Sequence, residues 1–349
     1  MTTAAGLILN KVFNPQGDDR TENRTIWFGN TTNLMQLNDV AYPWAVGLYQ
    51  QLRENFWVPQ KIDITQDVTD YGNLTPEERK AFDGILSYLT FLDSIQTCNL
   101  PHLKNAVTAP EVSMCMVEQL SQEAMHNQSY QYMIETIIPS DRRREVYEFW
   151  RTDKVLGKRC NHIASQYQTY LDNPSGETYF ISLMADYLLE SILFYNGFIF
   201  FYNLASRQLM PGSADMFKMI NRDELSHVRL FQKMLPEAMA TFTHSTDQIY
   251  EMFDTAVQNE IEWTNHIVGQ NILGITSGST EIYTKYLANI RLKAIGLSPL
   301  YSGDEYKKSP YAHLERFADT KAEGNTKANF FESGVTSYVM SSGVTGWEF

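Results

Sequence analysis

Long stretches in which apolar residues return every three or four positions alternate with short polar breaks carrying Pro, Gly, Asn or Asp. Residues 1–38 lack that period and read as an extended N-terminal arm. From Pro43 the pattern turns helical and runs to Trp57, with Pro59 predicted to stop it. Thr75-Pro76-Glu77-Glu78 is a helix start: Thr75 can cap, Pro76 suits the first helical position, and Glu78 can complete a capping box. Beyond it Phe82, Ile85, Leu86, Leu89 and Leu92 share one face, and Asp93 falls on the same stripe. Further helices are predicted over residues 110–137, 140–171 with an internal break, 177–207, 213–235, 245–272 and 279–295. The segment 172–176 is a loop, and Pro211-Gly212 is expected to break the chain. No strand-rich region and no internal repeat interrupts the series. The pattern predicts an all-α bundle over residues 39–320. Residues 321–349, rich in Gly, Ser, Thr and Asn and ending Gly-Trp-Glu-Phe, read as a flexible C-terminal tail.

Composition narrows the function classes. With 349 residues, 43% of them hydrophobic, the chain can bury a large core. A formal net charge of −13 repels phosphate backbones and argues against a nucleic-acid partner. Cys98, Cys115 and Cys160 form no CxxC pair, which argues against a disulfide framework or a zinc knuckle and fits a reducing cytoplasm. The start has no basic stretch followed by an apolar run, so no signal peptide is expected. The apolar run from Tyr179 to Phe201 carries Asp186, Glu190 and Asn196 and reads as a buried helix, not a membrane span.

Chemistry concentrates on four helices. Glu123-Ala124-Met125-His126 and Glu224-Leu225-Ser226-His227 are both Glu-x-x-His, a spacing that projects the two side chains to one side of a helix. Each pair can offer one oxygen and one nitrogen to a metal ion. Asp93 and Glu190 lie on apolar stretches of two other helices, where a lone carboxylate is costly to bury unless a cation accompanies it. One Glu-x-x-His is commonly a surface pair; two of them, with two inward carboxylates, define the ferritin-like dimetal-carboxylate arrangement. Carboxylates with two imidazoles suit iron or manganese. Tyr130, seven residues after Glu123, shares its helix face, where a phenol could be oxidised by one electron or simply pack as core. The remaining histidines, His102, His162, His244, His266 and His313, lack such surroundings and stay unassigned.

In order and spacing, four runs resemble the small, or beta, subunit of class I ribonucleotide reductase: Phe91-Leu92-Asp93-Ser94-Ile95-Gln96, Glu123-x-x-His126-x-x-x-Tyr130, Glu190-x-x-x-Phe194-Tyr195-x-x-Phe198, and Arg222-Asp223-Glu224-x-x-His227. The resemblance covers residues 57–338. It implies that Asp93, Glu123 and His126 hold one metal ion and Glu190, Glu224 and His227 the other, with carboxylates bridging. The ions would be two irons, two manganese ions or a mixed pair. It implies a tyrosyl radical on Tyr130 inside an apolar pocket of Phe194, Phe198 and Ile220. Trp57, Asp223 and the metal-bound His126 would link the site to the surface, and Tyr338 in the tail would pass the oxidising equivalent to the large, or alpha, subunit of a ribonucleoside-diphosphate reductase. Trp347 and Phe349 would anchor the tail there. A homodimer and, in some members, a flavodoxin-like activator are further expectations. Gln119 departs from the pattern, standing where many bacterial members have tryptophan, and the tail is shorter and less acidic than is usual. The competing expectations are a ferritin-like oxidase or hydroxylase with its own organic substrate, and an iron-storage bundle.

Overall fold

The capping box at Thr75 forms: its side chain accepts from Glu78 N while the Glu78 carboxylate accepts from Thr75 N. The helix it starts runs 29 residues. The computed structural model describes residues 3–4, 7–8, 11–269 and 271–318. Its helices are α1 (Pro43–Glu54), α2 (Thr65–Asn73), α3 (Pro76–Lys104), α4 (Pro110–Ile137), α5 (Arg143–Thr152), α6 (Lys154–Asp172), α7 (Gly176–Leu188), α8 (Tyr195–Ser206), α9 (Pro211–Thr241), α10 (Thr246–Ile267), α11 (Ser277–Ala294) and the short α12 (Ala312–Glu315). Strand pairing among the described residues is limited to Thr3–Ala4 against Leu7–Ile8 and a single bridge, Trp27 to Val107. The expected all-α bundle is therefore the architecture. The tail residues Tyr338, Trp347 and Phe349 lie outside the described residues.

Helices α3 and α4 lie along each other, α1 and α9 pack on α4, and α7, α8 and α10 close the bundle. The stretch 176–206 is long and apolar enough to cross a membrane, but 94% of its most apolar window is buried inside the protein. It is a core element, as its three polar residues suggested. The N-terminal arm is fastened to the body through two carboxylates. Glu111 accepts from the backbone N–H groups of Ala41 and Tyr42, and Glu237 accepts from Ile26 N and the Tyr42 hydroxyl.

The sequence pattern missed α2, ended α9 at 235 rather than Thr241 and carried α10 to 272 rather than Ile267, and three further differences have a visible cause. The first helix stops at Glu54 rather than reaching Trp57: the Asn55 carbonyl would need the N–H that Pro59 lacks to continue the ladder, and it accepts from the Arg222 guanidinium instead. Pro211 and Gly212 open α9 instead of breaking the chain ahead of it. Asp67 on α2 accepts from Gly212 N, Ser213 N and Ser213 Oγ at 3.0, 2.6 and 2.6 Å, so one helix caps another. A Cβ at Gly212 would meet the Asp63 carbonyl oxygen at 2.4 Å, which explains the glycine. The predicted single helix 177–207 is divided by a π-helical turn, Leu189–Leu193, which carries Glu190. The stretch is apolar on most faces, and Asp186, Glu190 and Asn196 are too sparse to fix a period, so the extra residue left no mark on the pattern.

Candidate metal centre

Asp93 comes from α3, Glu123 and His126 from α4, Glu190 from the π turn, and Glu224 and His227 from α9. All six are fully buried, at 0% exposure. The predicted set converges in two groups whose ligand atoms lie within 4.8 Å of one another: Asp93, Glu123 and His126, and Glu123, Glu190, Glu224 and His227. The imidazoles sit side by side, ring centroids 5.9 Å apart. Two carboxylates span them. Glu123 places Oε2 3.9 Å from His126 Nδ1 and Oε1 2.9 Å from His227 Nδ1; Glu224 places Oε1 3.1 Å from the first and Oε2 3.1 Å from the second. Asp93 Oδ2 lies 4.0 Å from His126 Nδ1, and Glu190 Oε2 lies 3.3 Å from His227 Nδ1. Two equivalent positions result, each offering one imidazole nitrogen, one terminal carboxylate and a share of two bridging ones.

Both histidines turn Nδ1 inward, and what their other nitrogens meet explains why. His126 Nε2 faces Asp223 Oδ2 at 3.2 Å, and His227 Nε2 faces Gln122 Oε1 at 2.9 Å. Each partner accepts an Nε2–H, which leaves Nδ1 with a lone pair for a cation. Asp223 is held in turn by Trp57, whose Nε1–H donates to the same Oδ2 at 2.8 Å, and by Arg222, which donates to Oδ1 at 3.1 and 3.2 Å. Trp57 thus stands one carboxylate away from His126, as expected. It also lines a surface cleft of about 510 Å³ beside Phe56 and α4.

The donor set fits a pair of cations. Both oxygens of Asp93 and of Glu123, Glu224 Oε1 and His126 Nδ1 are buried without a hydrogen-bond partner, the condition that buried polar atoms otherwise avoid. Burial first, and then mutual repulsion, pushes the carboxyls of Asp93, Glu123 and Glu224 well above the usual range. Glu190 goes the other way, to about 2: burial raises it, but the hydrogen bond with Glu224 and the charge of His227 outweigh that. Four carboxylates cannot all ionise in a dry core without positive charge beyond two imidazoles, and two divalent ions supply it. Dominant oxygen donors with two nitrogens and no thiolate suit iron or manganese.

Tyr130 is fully buried on α4. Burial, then the charges of Asp93, Glu224 and Glu123, keeps its phenol protonated, and Oη has no partner in hydrogen-bond geometry. Its ring stacks on Phe217 at 6.0 Å, and Phe217 meets Phe201 at 3.8 Å and Phe198 at 5.8 Å. Phe194 stacks behind Phe198 at 5.9 Å, and Ile220 is buried on α9. The ring against the phenol is thus Phe217, absent from the sequence reading, and Phe198 and Phe194 join it as the next rings outward. The signal for Phe217 was available: it precedes Glu224 by seven residues, two turns up the same face. The amides were also missed as a group. Gln96, Gln119 and Gln122 stand one turn from Asp93, Glu123 and His126 respectively, each buried beside a ligand position.

Fold and site together define a helical dimetal-carboxylate protein. Residues 34–310 match the family model for the ribonucleotide reductase small chain. A ribonucleoside-diphosphate reductase subunit beta of Treponema pallidum is 37% identical over 336 residues, 95% of each chain. One of Halalkalibacterium halodurans is 33% identical, over 92% of this chain and 93% of its own. The solved ribonucleotide reductase R2 subunit from Clostridium botulinum superposes with a TM-score of 0.86 at 38% identity, covering 90% of this chain and 99% of that one. The chain belongs to the ribonucleotide reductase small-chain family.

Proposed function

We propose that this chain is the radical-generating small subunit of a ribonucleoside-diphosphate reductase, holding an oxidising equivalent on Tyr130 and delivering it to a large subunit that reduces ribonucleotides to deoxyribonucleotides. The observation that carries this reading is a fully buried phenol, one turn beyond His126 on α4, on which the charges of Asp93, Glu224 and Glu123 bear, beside two half-sites shared by Glu123 and Glu224. Asp93, Glu123 and His126 would hold one ion, and Glu190, Glu224 and His227 the other. A pair of iron or manganese ions, when bound, supplies one-electron oxidising chemistry beside the phenol.

The chain's own residues do the rest. Phe217, Phe201 and Phe198 exclude water and reductants from the Tyr130 ring, so that a tyrosyl radical persists there. Tyr130 must surrender its proton on oxidation, and the carboxylates of Asp93, Glu224 and Glu123 are the charges that bear most on the phenol. Asp223 fixes His126 and connects it to the Trp57 indole at the cleft, the exit toward the large subunit. Tyr338 would be the last relay in the tail. The large subunit follows from the family; a homodimer, a flavodoxin-like activator and a cytoplasmic site of action are parts of the proposal, the last supported by three free cysteines.

Mixing the metal-loaded protein with a class I large subunit and assaying ribonucleoside diphosphate reduction tests this. Turnover is expected, and Tyr338→Phe should abolish it while leaving the stored radical intact. Turnover of an organic substrate by this chain alone would instead favour the ferritin-like oxidase.

A further inference from the structure

One carboxylate of the centre is not free to choose its orientation. Glu190 Oε1 receives two amide N–H groups, from Gln96 Nε2 at 2.5 Å and Gln119 Nε2 at 2.7 Å, while Oε2 faces His227. Gln96 is the unusual member. It is fully buried, and its amide nitrogen donates twice, to Glu190 Oε1 and to Asp186 Oδ1 at 2.7 Å. Its carbonyl oxygen accepts from the Tyr167 hydroxyl at 2.6 Å. A turned amide would set that oxygen against two carboxylates, so the tyrosine donor and the two acceptors admit one orientation. Asp186 is itself fully buried with no cation beside it; its other partner is Asn99 Nδ2 at 3.4 Å. Burial keeps Tyr167 protonated and therefore a donor. Among the described residues Asp93, on the other half, has no comparable clamp: neither of its oxygens has a hydrogen-bond partner.

We infer that Gln96, locked by Tyr167, is a positioning residue that fixes Glu190 as a one-oxygen ligand and so sets the affinity of the His227 half-site independently of the Asp93–His126 half. A carboxylate with one oxygen spent on two amides offers a single, pre-aimed oxygen to the ion, whereas an unclamped carboxylate can rotate or chelate. Buried Asp186 belongs to the same unit, because the amide that holds Glu190 also satisfies it. The inference rests on the dimetal reading above.

Stepwise addition of manganous ion to metal-free protein, followed by electron paramagnetic resonance, reads the two halves separately: a lone ion gives an isolated signal and a filled pair a spin-coupled one. The wild type is expected to develop the coupled signal as the second equivalent is added. In Gln96→Leu the first ion should bind within about threefold of wild type, and the second should weaken roughly 10- to 100-fold, the range for losing a partner that orients a ligand. Tyr167→Phe, which keeps the packing, should shift the second step alone, in the same direction and by less, and it decides the matter if Gln96→Leu does not fold. A purely structural role would lower the melting temperature or weaken both steps together. Wild type that binds no manganese would overturn the dimetal reading itself; wild type that binds two, with both variants unchanged at the second step or altered equally at both, would overturn this inference alone.

Discussion

At Trp57 one hydrogen atom separates a packing role from a functional one. Trp57→Phe keeps an aromatic ring in the wall but removes the Nε1 donor to Asp223 Oδ2. Metal binding and the Tyr130 signal should survive, while turnover with the large subunit is lost; normal turnover would show that the indole is only core. Phe217 makes the complementary case. Phe217→Ala should cost about 3–5 kcal/mol by cavity formation and shorten the radical lifetime, since this ring lies against the phenol. A radical decay time equal to wild type would place the shield elsewhere. The six ligand positions were legible because a carboxylate or imidazole on an apolar stripe is conspicuous. Phe217 and Gln122 were not, and Gln96 and Gln119 stood out only through the resemblance and without a role, because an apolar ring among apolar rings, or an amide on a mixed helix, carries no such contrast.

Among the elements, α9 brings Glu224, His227, Asp223 and Phe217 to the site, and its first turn depends on a residue from another helix. Asp67 satisfies two backbone N–H groups and a hydroxyl there. Asp67→Ala leaves those donors buried and unpaired, which should cost about 2 kcal/mol, within the range for unsatisfied groups; chemical denaturation measures it, and a loss of a few tenths would mean that water replaces the carboxylate. The capped start of α3 was readable from Thr75-Pro76-Glu77-Glu78 because its partners lie next to one another in sequence, whereas the cap that Asp153 gives α6 was not read from the sequence. The start of α9 was misread as a break because its cap comes from residue 67, and the π turn at Leu189–Leu193 was invisible because the few polar residues of that mostly apolar stretch are too sparse to show a shift of phase.

Across the whole molecule, stability should follow both metal and proton. Bound ions stabilise only the folded state, so loaded protein should melt above the metal-free form, by about 2.7 kcal/mol at a hundredfold excess over Kd. Glu123→Gln with Glu224→Gln should erase most of that difference. Away from the site, burial lifts the Glu315 carboxyl to about 6 against the hydrogen bond from Ser309. The folded state then binds the proton more tightly than the unfolded one, so stability falls as pH rises from 4.5 through 6 and the loss, about 2 kcal/mol, is complete above that. Glu315→Gln should flatten the midpoint across that window, and an unchanged pH profile would show that Glu315 titrates normally. The molecule-wide reading, a bundle built around one buried anionic site, was available from periodicity and net composition alone, whereas the clamps that orient each ligand required distances.

The central claim is that two ions bound by these carboxylates oxidise Tyr130. Metal-free protein loaded with ferrous iron and exposed to air, with a parallel sample loaded with manganous ion and supplied with a reduced flavoprotein and oxygen, is read by electron paramagnetic resonance against a Tyr130→Phe control. A tyrosyl signal that appears with two ions per chain and vanishes in the control is the predicted result; silence from both preparations at full metal occupancy, or a signal that survives Tyr130→Phe, would contradict it.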